Sequence, residues 1–442
     1  MHNLFGTDGI RRTLGVTPFT DKELERLSTA LAQWIQINFG QSAKIFLGHD
    51  TRKSASWIKA TLKARLLRYG ITIYDGLICP TPAAAAMLQL HPEFHLALII
   101  SASHNLYQDN GLKIIDHRHH KLADIDEQHI SQLYLQPSEL VPSFDQIGVE
   151  YYVPELVQEY IAHVAAHFSG GYLNGLRIVI DCAHGATIPT AATLFSLLGA
   201  QVITLNAMAT GMNINFQCGA LHPQYLAAHV LQTKADIGFA FDGDGDRIMV
   251  ATRNGHIKNG DDILALLLEH PAYKEQQIIV GTIMSNFGLE HYLKSCSRQL
   301  MRTPVGDKHV VDCLKKHKLL LGGEQAGHII LDDYLSSSDG VFTALRILET
   351  ILLTGNWDLE TFTKYPQVTI SVPIMNKKDL QSTQITQLID NAQGQLYAGR
   401  ILVRYSGTEN VLRVMVEDSN FEHAKNICHT LSEQLQTILA SS

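Results

Sequence analysis

The run Asp242-Gly243-Asp244-Gly245-Asp246-Arg247 sets three carboxylates at every second position with a glycine between each pair. Three negative charges this close repel one another unless a divalent cation neutralises them. Glycine lets the backbone curl so that all three oxygens face one point. Oxygen-only ligation favours a hard cation, Mg²⁺ over Zn²⁺. The bland alternative is a solvated acidic turn. Against it, the apolar run Ile237-Gly238-Phe239-Ala240-Phe241 leads in and Ile248-Met249-Val250-Ala251 leads out, so the spacing predicts a buried strand, a tight loop and a second strand.

Four further segments carry reactive or recognising groups. Ser103 lies just past the apolar run Leu96–Ile100, in Ser101-Ala102-Ser103-His104-Asn105. α/β proteins carry functional groups at the C-terminal ends of such strands. A serine is nonetheless a weak nucleophile without a base or metal, and taken alone this segment reads more simply as a polar loop. Arg404-Tyr405-Ser406-Gly407-Thr408-Glu409-Asn410, with Arg413 beyond, brings guanidinium forks, hydroxyls and free backbone N–H groups to one turn, a composition suited to a phosphate. Gly322-Gly323-Glu324-Gln325-Ala326-Gly327-His328 offers one carboxylate and one imidazole in a glycine-rich loop, suited to sugar hydroxyls but weak by itself. Phe5-Gly6-Thr7-Asp8-Gly9-Ile10-Arg11-Arg12 adds paired arginines in a glycine-rich turn that also fits a solvated terminal segment.

The elements that must position these loops alternate between strand and helix, which argues an α/β fold. Thr20 and Glu23 have capping-box spacing. Leu24, Leu27, Leu31, Trp34 and Ile35 then recur at helical spacing up to Gly40. Strands are expected at Ile45–Leu47, Ile71–Tyr74 and Leu96–Ile100, with a helix over 55–68. The rhythm repeats through Arg177–Asp181, Val202–Leu205 and the strand before Asp242, with an Asn254-Gly255 hairpin turn. It repeats again through a helix at Ile263–Leu268, Ile278–Val280, Leu319–Leu321 and a helix at Val341–Leu353. From about Tyr365 a smaller α+β pattern begins, with strands near 368–372, 401–403 and 411–416, a helix over 381–392 and a last helix ending near Leu439. Boundaries fall near 150, 255 and 366, dividing the chain into 1–150, 151–255, 256–365 and 366–442.

Composition narrows the class. The 442 residues are 45% hydrophobic and 18% charged, ordinary for a soluble globular protein, and a net charge of −8 makes a poor non-specific nucleic-acid binder. Six cysteines without CxxC spacing suggest buried thiols in a reducing compartment. The start lacks the basic-then-apolar pattern of a signal peptide and no stretch of about 18 apolar residues occurs, so neither secretion nor a membrane span is expected. His119-His120 reads as a polar surface pair rather than a metal site.

The serine, acidic, glycine-rich and arginine loops occur in the order found in the α-D-phosphohexomutases, and the chain resembles that family along essentially its whole length. The Phe5–Arg11 start, Asp109-Asn110-Gly111-Leu112-Lys113, Asn213-Ile214-Asn215 with Cys218-Gly219 and His222-Pro223, Thr282–Asn286 and Gly323-Glu324-Gln325 are most similar to its amino-sugar branch. The resemblance implies four domains around a central cleft, three related α/β mixed-sheet domains plus a smaller α+β C-terminal domain. It implies a phosphoserine at Ser103 and one Mg²⁺ per active site, held by Asp242, Asp244, Asp246 and the phosphorylated Ser103. It implies catalytic roles for His104, Lys113, Arg247 and His328, with Lys113 and His328 the candidates for general base and acid. Glu324 and the loop position Ala326 would face the sugar, while Arg404, Ser406, Gly407, Thr408 and Arg413 would grip its phosphate, with Arg11 in support.

The reaction so implied interconverts glucosamine 6-phosphate and glucosamine 1-phosphate in the cytoplasm through glucosamine 1,6-bisphosphate, feeding UDP-N-acetylglucosamine and cell-wall synthesis. A homodimer, and a kinase or autophosphorylation that charges Ser103, are compatible with the family. The chain departs from the usual family pattern at Leu106, Tyr405 and Asn410, where prolines are usual, at Ala326, where a serine is common, and at Lys308, where an arginine is usual. Ala326 bears on selectivity, because one hydroxyl near the sugar is lost, and the missing prolines are expected to loosen two loops. Competing readings are a mutase of neutral hexose phosphates, a non-catalytic sugar-phosphate sensor and a metal-dependent phosphatase. The Gly-Glu-Gln loop disfavours the first, and an intact Ser103 beside the acidic triplet disfavours the second.

Overall fold

The computed structural model describes residues 4–6, 8–136, 144–374, 377–406 and 410–440. The chain divides into two compact units, one of Met1–Gln276 with Thr303–Glu360, the other of Gln277–Arg302 with Thr361–Ser442.

The first unit holds two mixed sheets. In one, six strands lie in the order Ile10–Thr13, Asp109–Asp116, Leu96–Ile100, Lys44–His49, Thr72–Ile78 and Glu150–Tyr152. Lys44–His49 pairs in parallel with both Leu96–Ile100 and Thr72–Ile78, while Asp109–Asp116 runs antiparallel beside Leu96–Ile100. Parallel strands covered on both faces read as continuous apolar runs, and Ile45, Leu47, Leu96, Leu98 and Ile100 are all buried in one core with the helix Asp21–Phe39. That helix starts after Thr20 and stops at Gly40, as the sequence predicts, but Thr20 makes no side-chain cap. Asp21 and Glu23 in its first turn face the positive end of the helix dipole instead. Asp109–Asp116, the helix Thr81–Leu90 and the short strand Ile10–Thr13 are elements the apolar pattern did not announce.

In the other sheet five strands follow the order Ile257–Lys258, Ile248–Thr252, Ile237–Phe241, Arg177–Asp181 and Gln201–Leu205. Ile237–Phe241 and Ile248–Thr252 are antiparallel neighbours, so the acidic run is the turn between them. Leu321–Gly323 and Ile329–Leu331 form an antiparallel pair whose turn carries Glu324 to His328. The second unit contains a three-stranded antiparallel sheet, Gln367–Pro373, Val411–Asp418 and Gly399–Tyr405, packed against the helix Phe421–Ala440. Mixed α/β sheets with a smaller three-stranded C-terminal sheet are thus the fold class. No helix among the described residues is long and apolar enough to cross a membrane. Cys79, Cys182, Cys218 and Cys428 are buried and Cys296 is exposed.

The helix Gly340–Thr354 begins beside the acidic turn, with Gly340 N–H donating to Gly245 O at 3.0 Å. Its cap is Asp339, which accepts from Phe342 N–H at 2.9 Å and from the hydroxyls of Tyr160 and Tyr334. Burial outweighs these donors and pushes the Asp339 carboxyl up to about 6. A carboxyl raised in the folded state binds its proton more tightly there than when unfolded. Its contribution is therefore complete below about pH 4 and is lost as pH rises through about 6, a swing of about 3 kcal/mol. Urea-denaturation midpoints measured from pH 4.5 to 7.5 should fall for the native chain relative to Asp339→Asn across that window. Parallel profiles would remove Asp339 as the source.

Candidate active site

Ser103 follows the strand Leu96–Ile100 with φ +50°, a left-handed backbone that a non-glycine residue keeps only when its surroundings impose it. Its N–H donates to Ser101 Oγ at 2.9 Å, and its carbonyl accepts from Arg52 Nη2 at 2.9 Å and Asn215 Nδ2 at 2.8 Å. Held this way, the buried Ser103 Oγ donates to Asp242 Oδ2 at 2.7 Å, and His104 Nδ1 lies 3.4 Å from it. Burial first, then Arg247 and Arg11, push His104 down to about 3, so this imidazole is neutral.

Asp242, Asp244 and Asp246 are buried with ligand oxygens all within 4.8 Å of one another. Gly243 is required by close approach, because a Cβ there would come within 2.6 Å of Ser103 O. Asp242 Oδ1 accepts Gly245 N–H at 3.1 Å and Arg247 N–H at 3.2 Å. Asp244 Oδ2 accepts from Thr81 Oγ1 at 2.5 Å, whereas Asp244 Oδ1 is buried with no hydrogen-bond partner among the described residues. Burial and the two neighbouring carboxylates push Asp242 up to about 7. An all-oxygen donor set, one orphaned buried carboxylate oxygen and mutual repulsion within the triplet fit a hard divalent cation.

The cations around the triplet are built in. Lys113, from the strand Asp109–Asp116, places Nζ 2.7 Å from Asp244 Oδ2, 2.7 Å from Asp246 Oδ2 and 3.2 Å from Asp8 Oδ2. Burial favours its neutral form, but these three carboxylates outweigh burial and hold it well above the usual lysine range. Burial would also raise Asp246, yet Lys113 and His328 hold it well below the usual carboxylate range. Arg11 and Lys121 both pair with Asp8, and Lys121 also contacts Asp307 at 2.5 Å. His328 has Nδ1 2.8 Å from Glu324 Oε2 and Nε2 3.0 Å from Asp246 Oδ1. Burial opposes the imidazolium, but Asp246 prevails and His328 is pushed up to about 10. With both ring nitrogens protonated, Arg247 Nε at 3.2 Å from Nε2 is a like-charge neighbour and not a donor to it. Lys113 and His328 are therefore both cations in this arrangement.

Glu324 Oε1 accepts Gly306 N–H at 2.9 Å, and Ala326 is exposed at the tip of the same turn. Lys308 reaches across to Asp124 at 2.6 Å and Glu127 at 3.3 Å. His119 and His120 are half-buried and line a cavity of about 340 Å³ that also touches Lys113 and Asp246.

In the second unit, Arg404 and Arg413 are directly opposed on antiparallel strands. Like charges in that relation repel, and burial followed by Arg413 lowers the Arg404 pKa. Ser406 is buried, with its N–H on Val411 O at 2.9 Å. Gly407 and Thr408 lie outside the described residues. Tyr405 is tied down by its hydroxyl, which donates to Lys378 O at 2.7 Å and accepts Lys378 N–H at 2.8 Å.

Single-residue motif reading missed Asp8, Thr81, Arg52 and Asn215. Asp8 and Asn215 lie inside the Phe5–Arg12 and Asn213–Asn215 segments, and Asp50-Thr51-Arg52 follows an apolar strand just as Ser103 does, which is the signal the sequence offers for Arg52. Thr81 had none.

A buried serine hydrogen-bonded to a carboxylate triplet, ringed by lysine, arginine and histidine, is a framework for metal-assisted phosphoryl transfer. Comparison with known proteins defines the class. The chain matches the four phosphoglucomutase/phosphomannomutase domain models, with domain I at 2–140, domain II at 158–255, domain III at 259–366 and the C-terminal domain at 370–434, and it belongs to that family. Phosphoglucosamine mutase of Nitratidesulfovibrio vulgaris strain DP4 is 36% identical over 444 residues, 98% of each chain. Phosphoglucosamine mutase of Chlamydia pneumoniae is 36% identical over 453 residues, 99% of this chain and 97% of the other. A phosphoglucomutase/phosphomannomutase family protein from Burkholderia thailandensis superposes with a TM-score of 0.82 at 20% identity over 100% of this chain and 98% of the other. The Aspergillus fumigatus N-acetylphosphoglucosamine mutase, solved with GlcNAc-6P and magnesium, gives 0.68 at 16% identity over 99% of this chain and 96% of the other.

Titration with Mn²⁺, read by electron paramagnetic resonance, should show one site per chain, and Asp244→Asn should weaken it by about 100-fold. Mg²⁺ at a hundred times its Kd should stabilise the native chain by about 2.7 kcal/mol. Unchanged Mn²⁺ affinity in Asp244→Asn would place the ion elsewhere.

Proposed function

We propose that this chain is an isomerase that interconverts glucosamine 6-phosphate and glucosamine 1-phosphate by way of a phosphorylated Ser103 and glucosamine 1,6-bisphosphate. The observation that carries the reading is Ser103 Oγ buried 2.7 Å from Asp242 at the edge of the acidic triplet. Relatives named phosphoglucosamine mutase, 36% identical across the whole chain, support it.

In the forward half-reaction a free sugar hydroxyl attacks the phosphorus on Ser103. The bond from phosphorus to Ser103 Oγ breaks, the bond to the sugar oxygen forms, one proton leaves the sugar hydroxyl and one reaches Oγ. The bisphosphate then turns over, and its other phosphoryl returns to Ser103 by the reverse steps. Asp242, Asp244 and Asp246, with the phosphate on Ser103, would hold one Mg²⁺, which stabilises charge on the transferring oxygens. Lys113 and His328, both cationic in the resting geometry, stand on the acid side of the proton exchange. Arg11 and Arg247 offset charge on the phosphoryl group, and neutral His104 sits beside the seryl oxygen without adding charge.

Glu324 is oriented by Gly306 N–H and His328 and keeps lone pairs for sugar hydroxyls. The opposed Arg404 and Arg413, with Ser406 and the Gly407-Thr408 turn, would grip the non-transferring phosphate, since an anion between them relieves their repulsion. Such a grip reads charge and not ring detail, so it accepts the sugar in both orientations.

The test is a mutase assay on Ser103-phosphorylated protein with Mg²⁺ and a trace of the matched 1,6-bisphosphate, comparing glucosamine, mannose and glucose 6-phosphates. The amino sugar should be preferred by at least about ten-fold in kcat/KM, and Ser103→Ala should abolish turnover. Equal rates on the neutral hexoses would assign the chain to them, with Ala326→Ser the variant to restore selectivity. Release of free phosphate at the rate of substrate loss would make it a phosphatase instead, and Mg²⁺-dependent binding without turnover would make it a sensor.

A further inference from the structure

The loop that carries Ser103 is held by one guanidinium whose whole donor set is used. Arg52 is buried just beyond the strand Lys44–His49. Its Nε donates to Asp50 Oδ2 at 2.9 Å, and Nη2 donates to the carbonyls of Ser103 at 2.9 Å and Asn105 at 2.8 Å. Nη1 donates to the carbonyls of Asp109 at 3.0 Å and of Leu106. A guanidinium has five N–H donors, and here each meets an acceptor, four of them carbonyls of a single turn. Lysine, with three donors around a point charge, cannot reproduce that set.

The other side of Ser103 is fixed through the same ion pair. Asp50 accepts the Ser101 hydroxyl at 2.6 Å, and that oxygen accepts Ser103 N–H at 2.9 Å. Asn215 reaches in from the segment after the strand Gln201–Leu205, itself at φ +59°. Its Nδ2 donates to Ser103 O at 2.8 Å and Asn105 O at 3.0 Å, the two carbonyls Arg52 Nη2 also holds. Its amide lies against Gly243, where a Cβ would be 2.6 Å from Asn215 Nδ2. The peptide groups on both sides of Ser103 are therefore immobilised at a left-handed φ. A flip of either would swing Oγ away from Asp242.

We infer that Arg52 and Asn215 are positioning residues for phosphoryl transfer, fixing the direction of Ser103 Oγ, and that Asn215 ties this loop to the acidic turn. The inference rests on the reading of Ser103 as the phosphoryl carrier. The carbonyl of Leu106 is held in the same loop by Arg52 and by Asp109 N–H at 3.1 Å.

Asn215→Ala is the cleaner variant, because it removes no charge. Turnover is measured per phosphorylated Ser103, counted by intact mass, so that loss of folded protein does not register. The expected result is a kcat lower by about 10- to 100-fold with KM changed less than about two-fold. Amide exchange should speed up across 101–109 and not in the remaining strands of that sheet. Asn215→Asp, which turns an acceptor toward two carbonyls, should lose more, and Arg52→Lys should lose kcat while keeping the partner charge for Asp50. An Asn215→Ala enzyme with native kcat per phosphorylated site, or with unaltered exchange across 101–109, overturns the inference. A native chain that turns over no sugar phosphate is instead the failure of the functional reading, and exchange across 101–109 still decides whether the two residues hold the loop.

Discussion

Three carboxylates confined within 4.8 Å of one another and away from water set the terms for everything near them. Such a cluster survives only with positive charge supplied from several directions. Lys113 arrives from one sheet, His328 from a separate hairpin and Arg247 from the end of the turn itself. The same field explains the opposite fates of chemically identical groups. Asp246, facing Lys113 and His328, stays ionised, while Asp242, buried beside its two neighbours with Arg247 only at 4.0 Å, is pushed up to about 7. His328 between two carboxylates is a cation, and His104 among arginines is neutral.

The turn and the serine are fitted to each other by backbone contact and not by side chains alone. Gly243 leaves room for the Ser103 carbonyl, and Gly340 N–H caps onto Gly245 O. The Glu324–His328 turn meets the strand after the acidic turn through Ile248 N–H to Gly327 O at 3.0 Å. Reactive groups thus stand at the ends of strands whose buried runs fix them in place. Distant partners tie down further positions: the Leu106 carbonyl is held by Arg52, the Tyr405 hydroxyl by Lys378, and Lys308 by Asp124 and Glu127.

Much of the site was legible because its residues sit in short, dense segments. Alternating aspartate and glycine between two apolar runs announces a strand, a turn and a strand, and the structure has that hairpin. The long apolar stretches Leu96–Ile100 and Ile237–Phe241 are strands because continuous burial on both faces leaves no polar alternation to confuse them. Asp109–Asp116 was harder to see as a strand, because its Asn-Gly and Lys113 answer to the site and not to a sheet period. The capping box at Thr20 did not form, since spacing fixes which residues can meet but not which rotamer they choose.

By itself the sequence determined the chemistry available: a hydroxyl, an oxygen-only acidic triplet, a glycine-rich turn with a carboxylate and an imidazole, and an arginine loop, each encoded within a few consecutive residues. Tertiary structure alone decided which groups meet across 51, 112 and 139 positions of chain, the separations of Ser103 from Arg52, Asn215 and Asp242. It also decided protonation, since that depends on the charges burial brings alongside each group and not on the residue's type. The reason is one of range. Local spacing fixes backbone conformation over a few residues, whereas Coulomb interactions and close packing act between groups that only the folded chain makes neighbours.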